Sequence, residues 1–194
     1  MEDNFVSKYF SKRAVEIKGQ DSIIEGHYDI DDTVDYEVEL AIIIGREAYK
    51  IKSENAMDYI FGFSIFNDIS SRNIQFKHGQ WFRGKSPDGY SVMGPVITTK
   101  DEFESPLSLN LKTTVNNEIR QSSNTSKMIK NVRDILEELT EMMTLEPGDI
   151  IATGTPSGVG LGMDPKGFLK DGDVFVCTID GIGELRVKIM DPRI

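Results

Sequence analysis

The stretch Asp35-Tyr36-Glu37-Val38-Glu39-Leu40-Ala41-Ile42-Ile43-Ile44-Gly45 decides how the rest of the chain is read. It is short, rich in β-branched residues after Leu40 and closed by glycine, so it predicts a strand over Tyr36 to Gly45. Alternate side chains on a strand share a face. Glu37 and Glu39 therefore project together, roughly 7 Å apart along the chain, with Ala41 and Ile43 next on their face and Val38 and Leu40 on the other. Either the two carboxylates lie on a solvated outer face, or they enter a buried stretch. In the second case they must meet a cation or take up a proton, because a lone buried anion is costly.

Working outward, further runs with strand character are Tyr59 to Asn67, Ser91 to Thr98, Leu107 to Val115, Glu118 to Gln121, Asp149 to Thr153, Val174 to Ile179 and Glu184 to Ile189. Each is bounded by Gly, Pro, Asn or Asp. Asn116-Asn117 reads as a tight hairpin turn, since asparagine tolerates positive φ. A single long helix is predicted where Met128, Ile129, Val132, Ile135, Leu136, Leu139, Met142 and Met143 recur at three- and four-residue steps. Asn124, Thr125 and Ser126 are its candidate caps and Pro147-Gly148 its stop. At that spacing Met142 and Met143 read as core. Many short strands with one helix predict a mainly β fold with some α (α+β), antiparallel or mixed, with the helix laid on a sheet. Nothing in the sequence marks a linker or repeat, so residues 1–194 are expected to form one domain.

Hydrophobic residues at 39% and charged residues at 28% place the chain among folded proteins, not disordered or membrane ones. Cys177 is the single cysteine, so a disulfide framework is excluded and a reducing, cytoplasmic location is expected. The longest aliphatic run, Leu40 to Ile44, is far short of a bilayer span, and the acidic opening Met1-Glu2-Asp3-Asn4 does not resemble a signal peptide. A formal charge of −10 with scattered basic residues argues against a nucleic-acid partner and favours a divalent cation.

Three more segments carry candidate chemistry. Asn67-Asp68-Ile69-Ser70-Ser71-Arg72 follows an apolar run, so Asp68 sits where a buried strand ends, either as a site residue or as a turn cap. Carboxylates without nearby His or Cys suit a hard ion, Mg²⁺ or Mn²⁺. In Trp81-Phe82-Arg83-Gly84-Lys85-Ser86-Pro87-Asp88, Lys85 is a neutral base, a ligand to a carboxylate or a snorkelling surface lysine. The run Thr153-Gly154-Thr155-Pro156-Ser157-Gly158-Val159-Gly160 lacks the lysine of a phosphate loop and does not open a helix as a dinucleotide fingerprint would. It reads as a plain turn or as a nest of main-chain N–H groups for a carboxylate or enolate oxygen.

Taken in this order, and joined by Arg120-Gln121, Asn124-Thr125-Ser126 and Leu145-Glu146-Pro147-Gly148-Asp149, these segments resemble the fumarylacetoacetate hydrolase family. The likeness is greatest to its small acylpyruvate hydrolase and 2-hydroxyhepta-2,4-diene-1,7-dioate isomerase members, and runs from about Tyr9 to the C-terminus. The resemblance implies a mixed β-sandwich roll, a homodimer, and Mg²⁺ or Mn²⁺ held by Glu37, Glu39 and Asp68. It makes Lys85, Arg72 and Gln75 catalytic, and gives substrate binding to Thr155, Gly154, Arg72 and Gln75. The implied substrate is a small 2-oxo or 2,4-dioxo acid, converted through a metal-stabilised enolate by C–C bond hydrolysis or keto–enol isomerisation. Decarboxylation of an oxaloacetate-type acid, or a shortened relative that binds metal and a small dicarboxylate without turnover, are the alternatives.

The family pattern includes an Asn-Tyr-x-x-His-x-x-Glu-like stretch upstream of the segment resembling Tyr9-Phe10-Ser11-Lys12, and the expectation is that this chain begins after it. His27 and His78 fall at no matching position and read as surface residues. Isomerisation and decarboxylation need no activated water, and for them Lys85 is the expected proton carrier.

Overall fold

The computed structural model describes residues 6–77 and 79–194, and in it the stretch quoted first yields strand β3 (Val38–Ile44), buried along its whole length. Antiparallel neighbours flank it on both sides: β4 (Ile60–Asp68) and the short β9 (Ile150–Ala152). With β6 (Ser91–Thr99) outside β4, they form a four-stranded sheet ordered β6-β4-β3-β9. A second sheet is ordered β1-β11-β10-β7-β8, from β1 (Ile23–Glu25), β11 (Gly183–Met190), β10 (Val174–Ile179), β7 (Asn110–Val115) and β8 (Glu118–Asn124). It is mixed, because β1 runs parallel to β11 while its other pairs are antiparallel. Apart from both sheets, β2 (Val34–Asp35) and β5 (Ser70–Ser71) pair in a two-residue ladder.

The sheets share one core. On β10 and β11 every second residue is buried, so Phe175, Cys177, Ile179, Leu185, Val187 and Ile189 turn inward. They join Leu40, Ile42, Phe63 and Ile65 from the first sheet. Full burial of each such side chain is worth roughly 1.5–3 kcal/mol, so this sandwich carries the fold and can sustain an unfavourable polar cluster elsewhere. The opposite face of β3 is also covered: Ala41 and Ile43 pack with Phe66, Met93 and Ile150. Glu37 and Glu39 open onto that second face.

The Asn116-Asn117 turn forms as expected, with φ of 49° and 70° between the paired Val115 and Glu118, as a two-residue hairpin requires. The long helix is shorter than predicted. Helix α3 spans only Val132–Thr140, after the two short helices α1 (Arg72–Lys77) and α2 (Phe82–Lys85). Its cap is Asn131, whose side chain accepts from the N–H groups of Arg133 and Asp134, while Asn124 caps a separate 3-10 turn at Thr125–Lys127. An intervening Asn cap and the extended backbone at Met128 interrupt the helix although the apolar spacing runs on through both. Met142 lies past the helix end, 89% exposed, and Met143 is exposed too, so neither is core. Val132 and Leu136 do enter the main core, and the helix rests on the 3-10 segment Ser53–Tyr59 more than on a sheet. Among the described residues no helix is long and apolar enough to cross a membrane.

Candidate metal centre

Strand register brings the acidic residues together. Val38 pairs with Asn67 and Glu39 with Phe66, so Phe66 shares the face of Glu39, and Asp68, two residues on, reaches the same face beside Glu37. The N–H of Asp68 donates to the Glu37 carbonyl at 3.0 Å and locks this end of the ladder. Glu37, Glu39 and Asp68 are all buried, and each offers a carboxylate oxygen within 4.8 Å of the others.

Cations are built around them. Lys85 Nζ lies 2.6 Å from Glu37 Oε2 and 2.7 Å from Asp68 Oδ2. It is delivered by α2, which can approach α1 because residue 84 is glycine: a Cβ there would lie 2.5 Å from the Gln75 nitrogen. Arg72, at the start of α1, donates from Nε to Asp35 at 2.8 Å and from Nη1 to Glu37 at 2.6 Å and to Gln75 at 3.0 Å. Its Nη2 is buried without a partner among the described residues. Lys12 places Nζ 2.5 Å from the remaining Asp68 oxygen and 3.3 Å from the Ile69 carbonyl.

The four carboxylates of Asp35, Glu37, Glu39 and Asp68 thus face three cations, and the mismatch falls on Glu39. Among the described residues its one hydrogen bond comes from the Gly154 N–H, at 2.7 Å. Burial, then the charges of Asp68 and Glu37, push its carboxyl well above the ordinary range. Burial also works against Lys85, but Asp68, Glu37 and Glu39 outweigh it and hold the ammonium above the usual lysine value, so Lys85 is a fixed cation in the metal-free site. Lys12 goes the other way: burial dominates and lowers it.

The glycine-rich run after β9 lies against this cluster. Gly154 spends its N–H on Glu39, Thr155 Oγ1 donates to the Val38 carbonyl at 2.9 Å, and Thr153 Oγ1 donates to that of Leu40 at 2.9 Å. Further on, the N–H groups of Gly160 and Leu161 donate to Asp35, the carboxylate that also holds Arg72.

Residues 1–190 match the family described as fumarylacetoacetate (FAA) hydrolase C-terminal. The chain belongs to that family. A Staphylococcus haemolyticus protein with no characterised function is 49% identical over 180 residues, covering 93% of this chain and 60% of that protein. The fumarylacetoacetate hydrolase of psychrophilic Exiguobacterium antarcticum matches with a TM-score of 0.86 at 48% identity, over 90% of this chain and 62% of that one. A 2-hydroxyhepta-2,4-diene-1,7-dioate isomerase from Mycobacterium marinum gives 0.78 at 36%, over 93% and 66%. The chain spans about three fifths of the length of the Staphylococcus and Exiguobacterium relatives. Its architecture, mostly strands in several sheets with few helices, is the fold of these hydrolase and isomerase neighbours.

For a member of this family, the donor set suits a divalent ion. Three buried carboxylates, in a cluster of four acids and three cations, one of them supported among the described residues by a single N–H, are an all-oxygen set of the kind hard cations take. Sequence reasoning located Glu37, Glu39, Asp68, Arg72, Gln75, Lys85, Gly154 and Thr155, and all lie in or beside this cluster. It missed Lys12, Asp35 and Gln121. Lys12 had a signal, as the one cation in the Tyr9 to Lys12 landmark, whereas the other two were visible only as members of motifs. His27 touches Tyr90, Glu25 and the Asp88 carbonyl and no residue of the site. His78 lies outside the described residues. A depression of about 440 Å³ on the outer face of the second sheet, lined by Lys112, Val176 and Arg186 among others, has no buried residue in its wall and no comparable chemistry.

Proposed function

We propose that the chain forms a divalent-metal site that favours formation of the enolate of a small 2-oxo or 2,4-dioxo acid, the species common to C–C bond hydrolysis, keto–enol isomerisation and decarboxylation of such acids. The observation that carries this reading is the buried Glu37, Glu39 and Asp68 cluster, whose excess charge calls for a cation that the protein's own side chains do not fully supply. Glu37, Glu39 and Asp68 would hold Mg²⁺ or Mn²⁺, which when bound supplies a Lewis acid for the keto oxygen of the substrate.

The chain's own groups have separable tasks. Lys85, held charged between Glu37 and Asp68, keeps those carboxylates ionised and oriented. Arg72, fixed by Asp35, Glu37 and Gln75, has a spare Nη2 donor suited to a substrate carboxylate. Lys12, paired with Asp68 but with its ammonium disfavoured by burial, is the cation of the cluster most readily deprotonated, and once it has lost that proton its Nζ can take one from the carbon beside the keto group and return it. The names of the Exiguobacterium hydrolase and the Mycobacterium isomerase support both outcomes of such an enol.

The test is turnover of a panel of acylpyruvates, oxaloacetate and 2-hydroxymuconate-type diacids with Mg²⁺ or Mn²⁺, alongside the metal-induced shift in thermal unfolding. Turnover of at least one acid and a shift lost in Asp68→Ala are expected. No metal-induced shift in the wild type would overturn the reading.

A further inference from the structure

Gln121 is fully buried on β8, and it links the two sheets at the residue between two of the proposed ligands. Its Oε1 accepts from the Val38 N–H at 3.1 Å and from Thr113 Oγ1 at 2.9 Å, while Nε2 donates to Thr155 Oγ1 at 2.8 Å and to the Pro156 carbonyl at 3.0 Å. Every hydrogen-bonding capacity of the amide is used.

Main-chain groups dictate which way the amide faces. The Val38 N–H needs an acceptor and the Pro156 carbonyl needs a donor, so a flipped amide would leave both unmatched. With Nε2 on the Thr155 side, the Thr155 hydroxyl must accept from Gln121, and its own hydrogen goes to the Val38 carbonyl. Thr155 therefore has no hydroxyl hydrogen left for a substrate. Its main-chain N–H donates to no described residue and is the donor that remains.

The local backbone is shaped for this link. Between Thr113 and Thr114 the β7–β8 register shifts, so that Gln121 and Ile119 are paired and Arg120 is the extra residue. Such a bulge re-aims the neighbouring side chain. The loop docks on it closely: Gly158 sits at φ 106°, and a Cβ there would fall 2.0 Å from the Arg120 carbonyl oxygen.

We propose that Gln121 is a positioning residue for the keto-acid site. It fixes the Thr155 hydroxyl, which accepts from Gln121 and donates to the Val38 carbonyl, and so leaves the Thr155 N–H, next in the chain to the Gly154 N–H that Glu39 accepts, as the donor for a substrate. This rests on the function proposed above, and one arm of its test does not.

The full chain is compared with Gln121→Met and with Thr113→Val, which removes a different partner of the same amide. Three quantities are read: hydrogen exchange of the loop amides of Gly154, Gly160 and Leu161, which donate to Glu39 and Asp35, without metal; Mn²⁺ affinity; and the affinity of the Mn²⁺-loaded protein for oxalate, an enolate mimic. In Gln121→Met, loop exchange should quicken and oxalate should bind roughly tenfold more weakly, the loss expected for one displaced hydrogen bond, with Mn²⁺ affinity within about twofold. Thr113→Val should lose thermal stability and leave loop exchange and oxalate affinity unchanged. Unaltered loop exchange or oxalate affinity in Gln121→Met, or equal oxalate losses in both variants, would overturn the inference. A wild-type protein that binds neither Mn²⁺ nor oxalate would instead sink the proposed function and the substrate role of Gln121 with it, while the exchange arm still decides whether Gln121 holds the loop.

Discussion

Glu37 Oε2 lies 2.6 Å from the ammonium of Lys85, and its other oxygen lies 2.6 Å from Arg72, so both sides of this carboxylate are charge-paired. Two residues away, Glu39 makes no ion pair among the described residues and accepts one N–H, with Lys85 acting on it only at longer range. These neighbours on one strand face should answer the same substitution with opposite signs. Glu37→Gln takes one of two carboxylate partners from both Lys85 and Arg72, which keep Asp68 and Asp35, and should lower the stability of the metal-free protein by about 1–3 kcal/mol. Glu39→Gln keeps an acceptor for Gly154 and removes a charge that Asp68 and Glu37 oppose, so it should raise stability by roughly 1 kcal/mol. Both should abolish the Mn²⁺-induced thermal shift. Urea unfolding without metal checks the pair; a destabilised Glu39→Gln would show that its charge is compensated after all.

Gly84 is where the approach of two short helices depends on a missing side chain. An added methyl would overlap the Gln75 backbone, which cannot yield as a flexible side chain can. Gly84→Ala should cost about 1–3 kcal/mol and displace Lys85 from Glu37 and Asp68. Thermal unfolding reads the first effect. Mn²⁺ affinity reads the second, and a variant with a lowered unfolding midpoint but unchanged affinity would separate helix packing from the site.

Acid sensitivity should be traceable to Asp31. Burial alone would raise its carboxyl, but hydrogen bonds from Thr33, Ser71 and Ile74 outweigh it and hold the group below the ordinary aspartate value. A carboxylate lowered by folding adds stability that is present above its unfolded value of 3.8 and is lost as pH falls through the folded one. The bonds tie the chain before β2 to the start of α1, where Arg72 sits. Asp31→Asn should unfold more easily at pH 6 and lose less further stability than the wild type between about pH 4 and pH 2, followed by urea unfolding at each pH. Parallel acid limbs for the two proteins would refute the assignment.

The legible part of this protein was what period-two alternation could carry. Glu37 and Glu39 on one face, Asp68 at a strand end and the paired asparagines of the hairpin all follow from local pattern. Register did not: nothing within Val38–Ile44 or Ile60–Asp68 says that Val38 meets Asn67, and that pairing gathers the acids. Two-residue strands such as β2 and β5 are too short to show alternation. Helix α3 was overextended because apolar spacing continued through Asn131, whose side chain caps the helix from within the pattern. Lys12 reaches Asp68 across 56 positions, and Gln121 reaches Val38 across 83, so no window along the chain could reveal them.

Arg72 offers the sharpest separation of holding the acids from meeting the substrate. Its planar fork spans Asp35 and Glu37 from different nitrogens, which a lysine ammonium, a single point charge on a flexible stem, cannot reproduce. Asp35 keeps three main-chain donors, from Tyr36, Gly160 and Leu161, and Glu37 keeps Lys85, so Arg72→Lys leaves every carboxylate with a partner. Stability should fall by only about 1–3 kcal/mol, and Mn²⁺ should still bind. What disappears is Nη2, a buried donor with no partner among the described residues. Oxalate affinity should therefore drop about tenfold or more, with turnover of any accepted keto acid falling alongside it. Calorimetric titration of Mn²⁺ and then of oxalate measures the two affinities in one preparation. If Mn²⁺ binding is lost as well, Arg72 acts chiefly by setting Glu37; if oxalate binds as in the wild type, Nη2 does not reach the substrate.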